Sequence, residues 1–338
     1  MERYPCSPGQ QALWFEQSLA PDSAAYHVAL SAEIIETFDE DRFIRSLLKC
    51  TEDYSILKSS FQYSEGKVSY SISSQCIPFI DRIAIPSDAD QRILDSLTSA
   101  YRASFNMENG PLIRLHIAST PSGRKFILLV IHHLVCDAWS LRTIFETIVR
   151  YYCNGNTQLQ PLGVSTFDQY VNDQNTESET QRRQQSQHYW KNALAGCADK
   201  LTLATDFIRP AQRELHGRTL HMELSKEQYE GLFTLSKTVG VTPYTVLLTA
   251  FGYLLSQYGG ADDFCIGSPV MSRMKKSHLG VVGYCMNPVL IRISIDYNDT
   301  VAESLKKNFT VVRSSLSYKD YPLPFVINDC GFKRVPGY

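Results

Sequence analysis

Two adjacent histidines, His132 and His133, precede a carboxylate, Asp137, four residues beyond the second. These residue types suit proton chemistry. Imidazole titrates near neutrality, so it can take a proton from an alcohol or amine and return it. A nearby carboxylate can orient the ring or fix the loop that carries it. Rival readings exist. A single histidine in apolar surroundings is usually a satisfied core residue, although two in succession at a strand end fit that account less easily. A metal site needs further ligands, and His27, His116, His188, His216, His221 and His278 form no second cluster. A Ser-His-Asp hydrolase needs a Gly-x-Ser-x-Gly elbow, and the sequence has none. On residue chemistry alone, a catalytic and a structural histidine stand equally open.

The elements around the motif have to position it. Phe126 to Ile131 is a run of six large apolar residues, which reads as a strand buried on both faces. Beyond the motif, Leu141, Ile144, Phe145, Ile148 and Tyr152 recur at helical spacing, with Ser140 placed to cap and Asn154-Gly155 to stop the helix. The histidines and Asp137 therefore fall on a strand-to-helix connection, where backbone is irregular and side chains can converge.

Upstream, Ser7-Pro8-Gly9-Gln10 is a capping box with proline at the first helical position, opening a helix through Leu13, Trp14 and Gln17. A strand at Tyr26–Leu30 and a helix from Asp39 follow. Ile56–Gln62 and Lys67–Ile72 flank Ser64-Glu65-Gly66, a hairpin signal, and Leu112–Ala118 and Lys125–Ile131 flank a second turn, Thr120-Pro121-Ser122-Gly123. Residues 173–187 are almost wholly polar, as in an exposed connection or helix face. Thr242-Pro243 begins a helix with Val246, Leu247, Ala250, Phe251, Leu254 and Leu255 as its apolar face and Gly259-Gly260 as its stop. A short strand at Phe264–Ile266, a Gly-Ser-Pro turn, a basic loop at 273–278 and an apolar run over 281–295 complete the pattern. The reading is two mixed α/β lobes joined near residue 175.

A chain of 338 residues has volume for one large domain or two ordinary ones. A hydrophobic share of 43% and a charged share of 20% are those of a globular protein. The formal net charge of -2, with signs interleaved, gives no reason to expect nucleic acid or an anionic membrane as partner. The nine cysteines show no C-x-x-C pair and are odd in number, which fits free thiols in a reducing, cytoplasmic setting. No signal peptide opens the sequence, and no apolar stretch approaches the ~20 residues of a membrane span.

His132-His133-Leu134-Val135-Cys136-Asp137-Ala138-Trp139-Ser140 closely resembles the HHxxxDG signature of condensation domains in nonribosomal peptide synthetases. Other segments are similar to that family's motifs in its own order. Ser7 to Trp14 resembles the opening SxAQxxLW helix, and Leu57-Lys58-Ser59-Ser60-Phe61 the LRTxF strand. Phe105-Asn106-Met107 and Gly110-Pro111-Leu112 resemble the segment before the active-site hairpin, Phe167-Asp168-Gln169-Tyr170 the YxDY motif, and His188-Tyr189-Trp190 the start of a second-lobe helix. Val282-Gly283-Tyr284-Cys285-Met286-Asn287 matches GxFVN in spacing, and Lys319-Asp320-Tyr321-Pro322 matches QDYPFE.

The resemblance implies an α/β fold of two chloramphenicol-acetyltransferase-like lobes in a V-shaped arrangement. The N-terminal lobe, 1–175, carries the motif, and the C-terminal lobe is 176–338. It implies an acyltransferase that forms amide bonds between a donor thioester on one carrier protein and an aminoacyl thioester on another, both held on phosphopantetheine. The domain itself binds no cofactor and no metal. Adjacent carrier and adenylation domains are the implied partners, with no nucleic acid and no membrane. His133 becomes the catalytic residue, removing the amine proton or holding the amine by a hydrogen bond. His132, Asp137, Lys58, Ala138 and Trp139 become supports, and Ser140, Gly283 and Asn287 line a tunnel at the lobe junction.

Departures from the family pattern accompany the match. Asp53 and Lys58 stand where the family has arginines, and Lys58 is expected to pair with Asp137 without a bidentate fork. Ala138 replaces the motif glycine, and Met286 and Pro288 flank Asn287 in place of valine and threonine. The family's last strands and lobe crossover fall beyond Tyr338, so the second lobe is expected to be incomplete, with unpaired sheet edges and apolar surface exposed. Two alternatives follow: a free-standing acyltransferase using coenzyme A, and an inactive module that docks carrier proteins.

Overall fold

The computed structural model describes residues 2–155, 165–174, 177–198, 200–207, 217, 219–273 and 275–333, the side chains of 177–180 aside. The chain divides into two compact units. One holds the chain up to Glu179 together with Arg273–Met286, and the other holds Thr180–Ser272 and the chain from Asn287 onward. Segment 273–286 thus packs with the first unit, although the sequence places it in the second lobe.

In the first unit, β1 (Arg3–Pro5) and α1 (Pro8–Leu19) precede β2 (His27–Ile34), α2 (Glu40–Asp53), β3 (Ser59–Ser64) and β4 (Lys67–Ile72). Then come β5 (Phe79–Ala84), α3 (Asp90–Arg102), β6 (Ile113–Ser119), β7 (Lys125–His132), α4 (Ala138–Asn154) and α5 (Phe167–Asp173). The main sheet has the order β2-β7-β6-β5, and a smaller one the order β1-β4-β3. β7 is a central strand, antiparallel to β2 and β6, and every residue from Phe126 to His132 is buried. Its apolar run needs cover on both faces: the larger core cluster of this unit gathers Leu47 and Leu57 with Leu128, Val130, Ile144 and Ile148, and a smaller one sets Phe126 against Ile85, Ile93 and Ala118. Both hairpins form. Glu65 (φ 53°) and Gly66 (φ 78°) are left-handed, as the two-residue turn between β3 and β4 demands. Residues 55–58 are a 3-10 turn rather than the start of β3.

The second unit contains α6 (Glu177–Ala193), α7 (Lys226–Val239), α8 (Pro243–Gly259), β8 (Asp263–Met271), β9 (Met286–Ser294, its first residue in the other unit), α9 (Val301–Ser317) and α10 (Leu323–Asp329). β8 and β9 pair. β8 runs straight through Gly267-Ser268-Pro269, where the sequence suggests a turn. α8 begins at the Thr242 cap and ends at left-handed Gly260 as expected, but it turns another face inward. Leu247, Phe251 and Leu254 are exposed, while Thr245, Leu248, Thr249, Gly252 and Ser256 are buried. The small face permits close approach: a Cβ on Gly252 would lie 2.9 Å from Ile293 Cγ2, and Thr249 Oγ1 accepts a hydrogen bond from Asn308 (3.0 Å). Among the described residues no single helix is long and apolar enough to cross a membrane.

Candidate active site

The motif begins where β7 ends, and the backbone of both histidines is tied to the neighbouring strands. His132 N donates to Leu112 O (2.9 Å) on one side, and His133 N donates to Tyr26 O (2.8 Å) on the other. Alternation along a strand sends successive side chains to opposite faces. His132 is therefore buried, 1% exposed, and His133 is half-buried. A 3-10 turn, His133–Val135, leads to Cys136 and into α4.

The two imidazoles have different jobs for their nitrogens. His133 Nδ1 lies 2.6 Å from Cys136 O. A carbonyl oxygen only accepts, so Nδ1 carries the hydrogen and Nε2 keeps the lone pair. His132 has the opposite tautomer. Its Nδ1 accepts from Leu134 N (3.1 Å), and its Nε2 donates to Gln17 Oε1 (3.3 Å). Burial pushes the His132 pKa down to about 3, with the charges of His27, His133 and Arg114 adding to it. His132 is a neutral core residue. His133 meets Tyr284 edge-on at 5.2 Å.

Helix α1 clamps the turn from beneath. Gln10 Nε2 donates to Leu134 O (2.8 Å), and Gln10 Oε1 closes the capping box by accepting from Ser7 N (3.1 Å). The Gln17 amide nitrogen donates to Ala20, Pro21 and Ser23 carbonyls, which leaves its oxygen facing His132. Gly9 lets the helix approach: a Cβ there would stand 2.8 Å from Tyr284 Cε1. The capping-box spacing revealed where this helix starts, but not that its two glutamines hold the motif.

Asp137 is the N-cap of α4, its carboxylate accepting from Ser140 N (2.7 Å). The sequence assigned that cap to Ser140. Ser140 instead sits fully buried in the first turn. Its hydroxyl donates to Gly283 O (2.9 Å) and accepts from Gly283 N (3.0 Å) and Arg273 Nη2 (2.9 Å). The partner of Asp137 is Arg273, not Lys58. The guanidinium gives Nη1 to Oδ2 (2.9 Å) and Nη2 to Oδ1 (3.1 Å), and Cys285 N adds a fourth donor at 3.1 Å. A planar fork matches a carboxylate where an ammonium cannot. Lys58 closes the 3-10 turn before β3, half-buried, where its charge helps hold the Glu52 carboxyl below its usual range after the dominant contribution of Lys49. Asp53, the other departure, accepts a hydrogen bond from the Tyr151 hydroxyl.

Gly283 has φ +152°, and a Cβ there would fall 2.1 Å from the Phe167 ring. This glycine is a packing requirement between the segment after Arg273 and α5. The same segment is pinned again by Asp173, which takes Lys275 Nζ (2.7 Å) and His278 Nε2 (2.9 Å). Ala138 is the exposed first residue of α4. Trp139 Nε1 donates to Leu279 O (2.8 Å), and its ring lines an open cleft of about 350 Å3 with Arg142, Lys276 and Leu279.

Asn287 belongs to the second unit and spends its amide there. Nδ2 donates to Lys319 O (2.6 Å) and Tyr321 O (2.7 Å), and Oδ1 accepts from Leu323 N (2.9 Å). It thereby fixes the Lys319-Asp320-Tyr321-Pro322 turn. Its amide is thus fully engaged within the second unit. Among the described residues no cluster of three ligating side chains could hold a metal.

A family model described as "Condensation domain" matches residues 1–335. Malpinin synthetase of Mortierella alpina is 28% identical over 329 aligned residues, covering 96% of this chain and 4% of that protein. Surfactin synthase subunit 1 of Bacillus subtilis (strain 168) is 25% identical over 98% of this chain and 9% of its own length. The chain thus spans a small fraction of these relatives. Among solved structures, a four-domain nonribosomal peptide synthetase bound to AMP and glycine superposes with a TM-score of 0.88 at 22% identity, over 100% of this chain and 26% of that one. The first condensation domain of the calcium-dependent antibiotic synthetase, in complex with a substrate analogue, gives 0.80 at 18% identity, over 100% and 80%. The mixed α/β fold is shared with these condensation-domain structures. With a family match that runs over nearly all of its length, this chain belongs to the condensation-domain family, a kind of domain found in nonribosomal peptide synthetases.

Proposed function

We propose that this domain forms an amide bond, transferring an acyl or peptidyl group from a carrier-bound thioester to the amine of a second, carrier-bound aminoacyl thioester. Donor and acceptor carrier domains, their phosphopantetheine arms and a neighbouring adenylation domain are the partners in this reading. Its setting is the cytoplasm, which the unpaired spacing of the nine cysteines supports.

The observation that carries the proposal is the fixed tautomer of His133. With Nδ1–H committed to Cys136 O, the basic nitrogen is Nε2. An acceptor amine is protonated near neutral pH and attacks only when neutral. Nε2 within ~2.6–3.2 Å of that nitrogen can orient its lone pair or take its proton as the bond forms. The new C–N bond replaces the C–S bond, and the proton leaves on the departing thiol of the donor arm. A thioester is already activated, so the reaction calls for no nucleophile on the enzyme. His132, Asp137 and Arg273 act on geometry: they hold the turn from which His133 projects.

The test is a reaction of the domain with two separately loaded carriers, read by intact-protein mass spectrometry against a control without the domain. The acyl group should appear on the acceptor carrier. Product made from acyl-coenzyme A with no donor carrier points to the free-standing acyltransferase. Carriers that bind without reacting point to a docking module.

A further inference from the structure

We infer that Cys197 and Cys265 form a redox-active pair, a modification site that a peroxide closes into a disulfide. Their Sγ atoms lie 3.2 Å apart although the residues are 68 positions apart in sequence. Both side chains are half-buried, so a small oxidant can reach them. Elsewhere in the chain, Cys6, Cys50, Cys76, Cys136 and Cys285 are buried, the Cys330 thiol is donated to Trp190 O, and Cys153 is exposed.

The backbone holds the two sulfurs together. Cys197 closes the turn after α6, and Cys265 lies in β8. Arg292 on β9 ties these pieces to each other: Nη1 donates to Ala193 O (3.1 Å) and Ala195 O (2.9 Å), while Nε and Nη2 pair with Asp263 (2.7 and 2.6 Å). The Arg292 guanidinium is close enough for its charge to act on both sulfurs, and a nearby cation favours thiolate. Burial pushes the Cys265 thiol up, and the neighbouring Cys197 adds to that, which makes Cys265 a poor first nucleophile. A disulfide holds its sulfurs at about 2.0 Å, against 3.2 Å between these two thiols.

The chemistry balances with hydrogen peroxide as oxidant. The Cys197 thiolate attacks one peroxide oxygen, breaks the O–O bond and becomes a sulfenic acid, releasing one water. The Cys265 sulfur then attacks the sulfenic sulfur, forms the S–S bond and releases a second water. Two thiols lose two electrons and two protons, and one peroxide becomes two waters. In a reducing compartment the pair rests as two thiols, and oxidation staples the turn after α6 to β8.

The experiment treats the full chain with hydrogen peroxide, alkylates free thiols, digests without reductant and maps peptides by mass spectrometry. The Cys197 and Cys265 peptides should appear joined, two hydrogens lighter than their sum, and separate on dithiothreitol. The oxidised protein should unfold at higher denaturant than the reduced one, a difference abolished in both Cys197→Ser and Cys265→Ser. Should Cys265→Ser fail to fold, Cys197→Ser alone still carries the comparison. Alkylation of both residues after peroxide, a sulfinic acid on either, or pairing of either with another cysteine overturns the assignment.

Discussion

His132 and His133 are adjacent and chemically identical, yet their surroundings separate them completely. His132 is walled in, with both nitrogens bonded, and its pKa falls to about 3, chiefly through burial. An unfolded histidine titrates near 6.5, so between pH 6.5 and 3 the unfolded chain binds a proton that the folded chain refuses. Stability from this residue is fully present above pH 6.5 and is lost as pH falls through that window, by on the order of 5 kcal/mol. Burial lowers His27 and His116 as well, so they act with the same sign. Urea unfolding at pH 7.5 and pH 4.5 checks this. The loss between the two should be smaller in His132→Asn than in the parent, whatever the variant's absolute stability, and an equal loss contradicts the account. The sequence displayed the pair and its aspartate. It did not display Gln17, whose oxygen faces His132 only because its nitrogen is used up on three carbonyls of the following loop.

The elements were legible wherever one local rule decided them. Serine and proline at the start of α1, threonine and proline at the start of α8, and glycines at the ends of α4 and α8 all stand where sequence rules put them. The run at Phe126–Ile131 is buried on both faces, as its composition demanded. Rules failed where tertiary contact outvoted local pattern. Helix α8 turns Thr249 and Gly252 inward beside Leu248, because Ile293 packs against Gly252 and Asn308 bonds Thr249, and β8 continues through a Gly-Ser-Pro sequence that ordinarily turns. Gly283 belongs to the same class, since its spacing suggested a motif while its cause is the ring of Phe167. Gly283→Ala should therefore cost roughly 1–3 kcal/mol through overpacking, with backbone strain added at φ +152°. Chemical denaturation measures the loss, and a neutral substitution removes this explanation.

At the scale of the molecule, the site was half legible. Asp137 needed a cationic partner, and Lys58 was the nearest candidate by motif. The guanidinium that meets it is 136 residues away, in a basic loop that contacts reassign to the first unit. Nothing local in the sequence announces such a pairing; its one trace is an arginine closing an apolar strand just before the Gly283 segment. The pair is almost wholly buried, with side chains 0% and 1% exposed, so removing one partner strands a charge. Arg273→Ala should cost roughly 3–5 kcal/mol, whereas Lys58→Ala should stay within about 0.5 kcal/mol. Hydrogen exchange localises the effect: amides at the start of α4 and over 281–285 should exchange faster in Arg273→Ala, with α9 and α10 unchanged. Equal costs for the two variants contradict the assignment.

The central claim is that Nε2 of His133 serves the attacking amine. The most direct measurement is single-turnover amide formation by His133→Ala with both carriers loaded, alongside circular dichroism and carrier binding of the same variant. The account predicts an intact fold, carrier affinity close to the parent, and a rate lower by roughly 10²–10⁴-fold if the imidazole moves the proton. A rate equal to the parent under these conditions contradicts it.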